Sequence, residues 1–288
     1  MIWSPKRFHI ELSSACVAKC PFCPRTKELG SFPVQELRLK DITSFFTAEI
    51  LKHTESIALC WSYGDPIYAR DFLEIVHYFH KHGVFTSVST NGYNSQENFW
   101  SKLPTSNFQI IFGIDGITQT THSKYRTWTN LKTILKNAKE FCDIWGYAIW
   151  QILLFQHNEH QIETARKISK RLGFRDFIVR KSRQYDKKLL EPLSSTTYTR
   201  MDHLIKWKAV CEYEKNESWY ISASGQVLPC CYLWNIEFSN KSLLHEKMNI
   251  KNSSYEEIKN LAYWKNQIGN FITQKGINKC LSRCWVTR

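Results

Sequence analysis

The residues best equipped to do chemistry in this 288-residue chain are its cysteines. Cys16, Cys20 and Cys23 form a C-x3-C-x2-C run near the N-terminus, and Cys211, Cys230, Cys231, Cys280 and Cys284 gather in the last quarter. Cys60 and Cys142 stand alone and read as core thiols. Whether clustered cysteines pair or bind metal depends on the compartment. The opening MIWSPKRFHIEL carries no apolar segment of the kind a secretory leader needs, and no apolar run nears the ~20 residues of a membrane span. A cytoplasmic location with no membrane partner is the expectation, and there such thiols serve as metal ligands or stay as buried thiols rather than forming disulfides. Three thiolates on one short loop can hold three corners of a cubane 4Fe–4S cluster and leave the fourth iron open. An open coordination position is where substrate or cofactor chemistry occurs, whereas a structural site closes its shell. The alternative for the same trio is a zinc knuckle completed by a distant His or Cys.

A reactive loop needs a frame. From residue 7 to about 182, β-rich runs alternate with helical patterns, the signature of successive βα units and a parallel sheet. The expected strands are Arg7 to Leu12, Ser56 to Tyr63, Thr86 to Thr90, Gln109 to Asp115, Tyr147 to Phe155 and Phe174 to Arg180. Phe72, Ile75, Val76 and Phe79 recur at i, i+3, i+4 and i+7, as do Leu131, Ile134, Leu135 and Ala138, with Asp71 and Asn130 as N-caps. The fold class is therefore α/β, a partial (β/α)6 TIM-like barrel. In such barrels the loops at strand C-termini build the active site, and the cysteine loop leaves strand one. Beyond residue 182, WYISASGQVLPCCYLW reads as a hairpin with Ser224-Gly225 at its turn, and a helix is expected from about Tyr255 to Asn266. This divides the chain into a core barrel (1–182), a basic linker (183–204) and a small C-terminal α+β domain (205–288). With 43% hydrophobic residues and only 11 Gly and 8 Pro, predominant disorder and collagen-like repeats are excluded.

The stretch ELSSACVAKCPFCPR, with Phe22 just before the last Cys, resembles the cluster-binding loop of the radical S-adenosylmethionine (SAM) superfamily. WSYGDP (Trp61 to Pro66), STNG (Ser89 to Gly92), GIDG (Gly113 to Gly116) and KYR (Lys124 to Arg126) continue the resemblance in the family's order. It implies that Cys16, Cys20 and Cys23 ligate a 4Fe–4S cluster whose open iron is chelated by the amino and carboxylate groups of SAM. One electron would then cleave SAM to methionine and a 5′-deoxyadenosyl radical that abstracts a substrate hydrogen. The resemblance also assigns cofactor contacts. Gly64, Asp65 and Pro66 would present backbone polar groups to the SAM amino group, Ser89, Thr90 and Asn91 would lie along its methionine and ribose, Asp115 near the ribose and Phe22 near the adenine. Arg126 would make a carboxylate contact or a structural ion pair. Three positions depart from the pattern: Tyr63 for the first Gly of the family's GGEP segment, Asp65 for its Glu, and Gly113 for a Ser often found there. His157 to His160 (HNEH) reads as a cap region, Asn158 matching a polar residue common after strand five in the family.

Near the C-terminus, Cys211, a spacer, Gly225, four residues and Cys230 resemble the opening of the SPASM/twitch extension of that superfamily. The resemblance implies one auxiliary 4Fe–4S cluster on Cys211, Cys230, Cys280 and Cys284, with Cys231 the rival of Cys230; zinc is the competing metal for a four-Cys site. Charge adds a second bias. The chain carries a net +13, and ten Lys/Arg against two Asp/Glu between Arg166 and Lys188 place +8 of it in one segment. That segment reads either as a solvated helix face plus linker, or as a means of holding an anionic substrate, with Arg180, Lys181 and Arg183 at the end of strand six beside the barrel mouth. Tyr185 and Trp207 would stack on bases in the second case and be core in the first. The expected function is radical hydrogen abstraction from a peptide or protein, with an electron donor such as flavodoxin or ferredoxin as partner. RNA or nucleotide modification is the alternative within the class, and a non-catalytic zinc protein binding nucleic acid the alternative outside it.

Overall fold

Runs rich in β-branched and aromatic residues set the strands, because such side chains suit a pleated surface packed on at least one face. A computed structural model describes residues 5–27, 33–59, 63–182, 184–193, 208–210, 218–228, 230–231, 246–261 and 285–287. In it β1 (Arg7–Ile10), β2 (Ser56–Leu59), β3 (Phe85–Thr90), β4 (Phe108–Gly113), β5 (Tyr147–Leu154) and β6 (Asp176–Lys181) pair in parallel and in chain order. Each lies where the sequence places it, to within a few residues. β7 (Lys208–Val210) pairs antiparallel with β10 (Trp285–Thr287) in a separate ribbon. The expected hairpin is present as β8 (Ser218–Ile221) and β9 (Val227–Leu228), and Gly225 takes φ +95° at its turn. Its first strand adds in parallel to β1, giving the order β6-β5-β4-β3-β2-β1-β8-β9 in one open sheet. This is the mostly parallel α/β sheet of a partial barrel.

The described helices are α1 (Pro24–Lys27), α2 (Leu39–Phe45), α3 (Ala48–Lys52), α4 (Phe72–Lys81), α5 (Gln119–His122), α6 (Leu131–Asp143), α7 (Ile162–Leu172) and α8 (Tyr255–Asn260). None of these is long and apolar enough to cross a membrane. The helix expected from Tyr255 to Asn266 is described only to Asn260. On α4 the apolar stripe Phe72, Ile75, Val76 and Phe79 is buried, and burying each such side chain is worth roughly 1.5–3 kcal/mol. Asn130 caps α6 as expected, accepting from the Thr133 N–H at 3.0 Å. Asp71 occupies the N-cap of α4 but does not cap it. Its carboxylate instead binds Arg38 at 2.7 and 2.8 Å and the Leu39 N–H at 2.9 Å. A bidentate guanidinium is the stronger competitor for that carboxylate.

Strand alternation sorts the sheet into two faces. Phe8 and Ile10, Ile57 and Leu59, Val88, Ile110 and Phe112, Trp150 and Ile152, and Trp219 and Ile221 all join one large core with the helices. The intervening residues of the same strands, including His9, Ser87, Ser89, Gln109, Gln151, Arg180 and Tyr220, belong to the opposite face. On that face these polar groups alternate with Ala58, Ile111, Ile149, Leu153 and Ile178. The face lies beneath the rim where the strand C-termini and their loops converge.

Candidate active site

The cysteine loop follows β1 and is pinned at both ends. Ser14 N–H donates to the Gln35 carbonyl at 2.9 Å, and Arg25 Nε donates to the Ser14 carbonyl at 2.9 Å. Midway, Lys19 N–H donates to the Thr127 carbonyl at 3.1 Å, the Thr127 hydroxyl donates back to the Lys19 carbonyl, and Lys19 Nζ sits 3.4 Å above the Trp128 ring. Cys20 is buried, and Cys16 and Cys23 are half-buried beside it. They pack with Ala18, Phe22, Tyr125, Leu153, Phe155, Tyr185 and Leu189 in a second apolar cluster, apart from the main core. Residues 184–190, the described start of the expected linker, fold back over this cluster. Gln156 N–H donates to the Leu190 carbonyl at 3.0 Å, and Lys27 Nζ donates to Gln184 Oε1 at 2.9 Å.

The loops after β2 and β3 lock onto the cysteine loop through Asp65 and Asn91. Asp65 Oδ2 accepts from Asn91 N–H at 2.7 Å, Asn91 Nδ2 at 2.7 Å and Thr90 Oγ1 at 3.1 Å. Asn91 Nδ2 also reaches Cys16 Sγ at 3.5 Å, and Asp65 N–H donates to the Ala15 carbonyl at 2.9 Å. Gly64 is pressed so closely on Ser13 and Ser14 that a Cβ there would lie 1.9 Å from the Ser13 carbonyl oxygen. Pro66 opens a short turn, Pro66–Tyr68, that Asp65 caps. Burial pushes the Asp65 carboxyl up to about 6, against the hydrogen bonds from Asn91, Thr90 and Ile67.

After β4, Asp115 is fully buried and makes a 2.6 Å ion pair with Arg126 Nε, itself buried. Its other oxygen accepts the Leu153 N–H at 2.6 Å. Of the two roles the resemblance offers Arg126, the ion pair is present. The same guanidinium lies over Gly113, where a Cβ would sit 2.6 Å from Nη2, so the departure from Ser at this position makes room for it. Asn158, in the expected cap region, ties the rim together: its Nδ2 donates to the Asp115 and Leu153 carbonyls at 3.0 and 2.8 Å, and its Oδ1 accepts the Phe155 N–H at 2.8 Å.

Other expected residues divide. Ser89 is half-buried and alternates away from Thr90, on the face opposite the helix-side core. Arg180 and Lys181 stand in register with Leu153 and Leu154. Leu153 belongs to the cysteine-loop cluster and Leu154 to the helix-side core, so Arg180 alone shares the face of the site. Tyr185 packs on Phe155 with ring centroids 6.0 Å apart. Cys142 packs against the main core, where burial pushes its thiol up to about 11. Cys230 is buried and Cys231 half-buried. Cys60, Arg183, Trp207, Cys211, Cys280 and Cys284 lie outside the described residues. Three positions escaped the sequence reading. Glu11 is buried at the end of β1, Tyr220 of β8 donates to it, and Asn137 of α6 donates to the Gly92 and Asn94 carbonyls at 2.9 and 2.8 Å, anchoring the loop after β3. The signal for Glu11 is a charged residue between Ile10 and Leu12, immediately before the cysteine loop.

The donor set fits a thiophilic metal group. Burial pushes the Cys20 thiol up to about 11, with Arg126 beside it pulling the other way, and raises Cys16 further, with Asp65 and Cys20 adding. Burial raises a lone core thiol in the same way, as at Cys142; what suits a thiophilic cluster is the grouping of three thiols on one buried loop. Among the described residues no three His, Cys, Asp or Glu side chains converge on a single ion. A cubane instead takes its thiolates on separate irons.

The family model of the radical SAM superfamily matches residues 10–168, more than half of the chain. This chain belongs to the radical SAM superfamily. Membership makes it a radical SAM enzyme and implies SAM and a 4Fe–4S cluster as its cofactors. SuiB of Streptococcus suis, solved bound to S-adenosylmethionine, is similar over 98% of this chain and 71% of its own, with TM-score 0.70 and 14% identity. The radical SAM protein anSMEcpe with bound AdoMet is similar over 91% of this chain and 79% of its own, with TM-score 0.61 and 14% identity. BtrN, solved with AdoMet and 2-DOIA, is similar over 98% and 93%, with TM-score 0.51 and 12% identity. At such identities the likeness is one of fold. None of the curated proteins matches the chain.

Proposed function

We propose that this radical SAM enzyme modifies a peptide or protein side chain, with Cys16, Cys20 and Cys23 holding the 4Fe–4S cluster and the loops after β2, β3 and β4 holding SAM. When bound, these cofactors supply a reductively generated carbon radical that removes a hydrogen atom from the substrate. The chain's own residues do the rest. Asn91 bridges Asp65 to Cys16, so the SAM-binding loops and the cysteine loop move as one unit. Arg126, fixed by Asp115, sets a positive charge beside Cys20. Phe22, Tyr125, Phe155 and Leu189 wall the loop against water. On the sheet face opposite the helix-side core, Gln151 and Arg180 offer hydrogen-bonding groups to a substrate.

The observation that supports a peptide substrate is the likeness to SuiB solved with its precursor peptide SuiA, which spans 97% of this chain at TM-score 0.66 and 15% identity. A nucleic-acid substrate is the second reading, favoured by the exposed basic residues of α7 and by Arg180. For the C-terminal cysteines we propose one auxiliary 4Fe–4S cluster on Cys211, Cys230, Cys280 and Cys284, with Cys231 the rival of Cys230, a reading that rests on the resemblance to the SPASM/twitch extension. An acidic one-electron donor of the flavodoxin or ferredoxin kind suits the net +13. The test is an anaerobic assay for 5′-deoxyadenosine with reductant, SAM and either candidate peptides or RNA. Product formation that depends on peptide and ignores RNA supports the first reading. RNA-dependent turnover with binding that weakens steeply as salt is added supports the second.

A further inference from the structure

Glu11 has one carboxylate oxygen on the loop that seats SAM in the proposed function and the other on the C-terminal hairpin. Oε1 accepts the Gly64 N–H at 2.8 Å and also the Tyr63 N–H; Oε2 accepts the Tyr220 hydroxyl at 2.8 Å. Glu11 and Tyr220 are both buried, and the Tyr220 ring packs edge-on against His9 at 5.1 Å. The next N–H along the loop, that of Asp65, also points at the N-terminal strand's extension, to the Ala15 carbonyl. Three successive amide hydrogens are thus taken up by β1's end and the loop that follows it. A trans peptide is planar, with the N–H of one residue opposed to the C=O of the residue before it, so the Tyr63 carbonyl is turned away from Glu11 and the Gly64 carbonyl away from the Ala15 carbonyl. Carbonyl oxygens are what an ammonium group needs, since it carries only donors.

We infer that Glu11 is a positioning residue for the SAM ammonium: it turns the Tyr63 carbonyl outward, beside the Gly64 carbonyl set by the Asp65 bond to Ala15, and Tyr220 holds Glu11 in that role. The C-terminal hairpin is therefore part of the cofactor site. This places a requirement on residues that none of the family's loop segments contains, and it rests on SAM binding at this loop. A carboxylate is suited to the task because a single oxygen can take both amide hydrogens while the second remains for the phenol.

The experiment compares the full-length, anaerobically reconstituted wild type with Glu11→Gln and Tyr220→Phe. Iron content, melting temperature, SAM affinity by calorimetric titration and amide exchange of residues 63–65 are measured on each. The expected result is iron content equal to wild type, faster exchange at Tyr63 and Gly64, and SAM affinity about tenfold weaker in Glu11→Gln and several-fold weaker in Tyr220→Phe, on the scale of one charge-assisted hydrogen bond. In turnover the KM for SAM rises while the rate at saturating SAM stays within about twofold, as expected of a binding contact. If Glu11→Gln fails to fold, Tyr220→Phe carries the test, since it removes one oxygen and keeps the ring. Wild-type SAM affinity in every folded variant overturns the inference while leaving the proposed function standing. Failure of the wild type to bind SAM overturns both.

Discussion

Replacing Gly64 with alanine asks how firmly the cofactor loop must sit on β1 and its extension. The added Cβ would lie 1.9 Å from the Ser13 carbonyl oxygen and 2.6 Å from Ser14 C and Cα. All three are backbone atoms, so no change of rotamer relieves the contact, and residues 63–66 must lift away. Lifting breaks the Gly64 N–H bond to Glu11 at 2.8 Å and the Asp65 N–H bond to the Ala15 carbonyl at 2.9 Å. A hydrogen bond to a charged acceptor contributes roughly 1.5–3 kcal/mol and a backbone pair about 0.5–1.5, for a loss of about 2–4 kcal/mol. Because the seated loop is the one that binds SAM in our account, affinity should fall by roughly 30- to 700-fold. Equilibrium titration of anaerobically reconstituted protein reads this directly, with iron content confirming an intact cluster. Gly83→Ala is the control: its φ of +74°, unlike the backbone of Gly64, strains an added side chain, but a Cβ there meets nothing within 4 Å, so any general backbone cost is separated from the loss of seating. A Gly64→Ala protein that binds SAM like the wild type would refute the seating argument.

Breaking the buried pair by Arg126→Met leaves Asp115 uncompensated and should cost about 3–5 kcal/mol in urea unfolding; Gly113→Ala, which crowds the same guanidinium, should cost part of that, and an unchanged midpoint in both would count against the pair. Asp65, held up to about 6 by burial, keeps its proton in the folded state to higher pH than its ordinary 3.8. Its contribution to stability is therefore fully present below about pH 3.8 and lost as pH rises through 6, a swing of about 3 kcal/mol. His122, pushed down to about 4 by burial, acts in the opposite sense, costing stability as pH falls below 6.5. The measurement is thus the difference between wild type and Asp65→Asn apoprotein in unfolding free energy from pH 4 to 7, and a difference independent of pH contradicts the assignment. Asn137→Ala removes both hydrogen bonds that anchor the loop after β3, and unfolding should become easier by about 1–3 kcal/mol; wild-type stability would show that water replaces them.

Much of the frame was legible in the sequence because βα units write their periodicity locally. The six strands and the buried stripes of α4 and α6 follow from apolar spacing alone, and the hairpin turn from Ser224-Gly225. What the sequence hid depends on partners far apart in the chain. Asp71 looks like a cap for its own helix, and only the fold brings Arg38 to compete for it. Glu11 reads as one charge in an apolar run until Tyr220, 209 positions away, and the Gly64 loop close around it. Asn137 looks like an interruption on α6 but serves the neighbouring loop. Arg180 and Lys181 look like a pair in sequence, yet strand alternation sends them to opposite faces. The site motifs were readable because each sits at a strand end, whereas the residues that hold the motifs carry no local pattern.

The most direct measurement of the central claim is electron paramagnetic resonance of the reduced, oxygen-free protein with and without SAM. Binding of SAM at an iron held by Cys16, Cys20 and Cys23 predicts a cluster signal whose shape changes when SAM is added, and the loss of that response in Cys16→Ala. A cluster spectrum indifferent to SAM in the wild-type protein would contradict it.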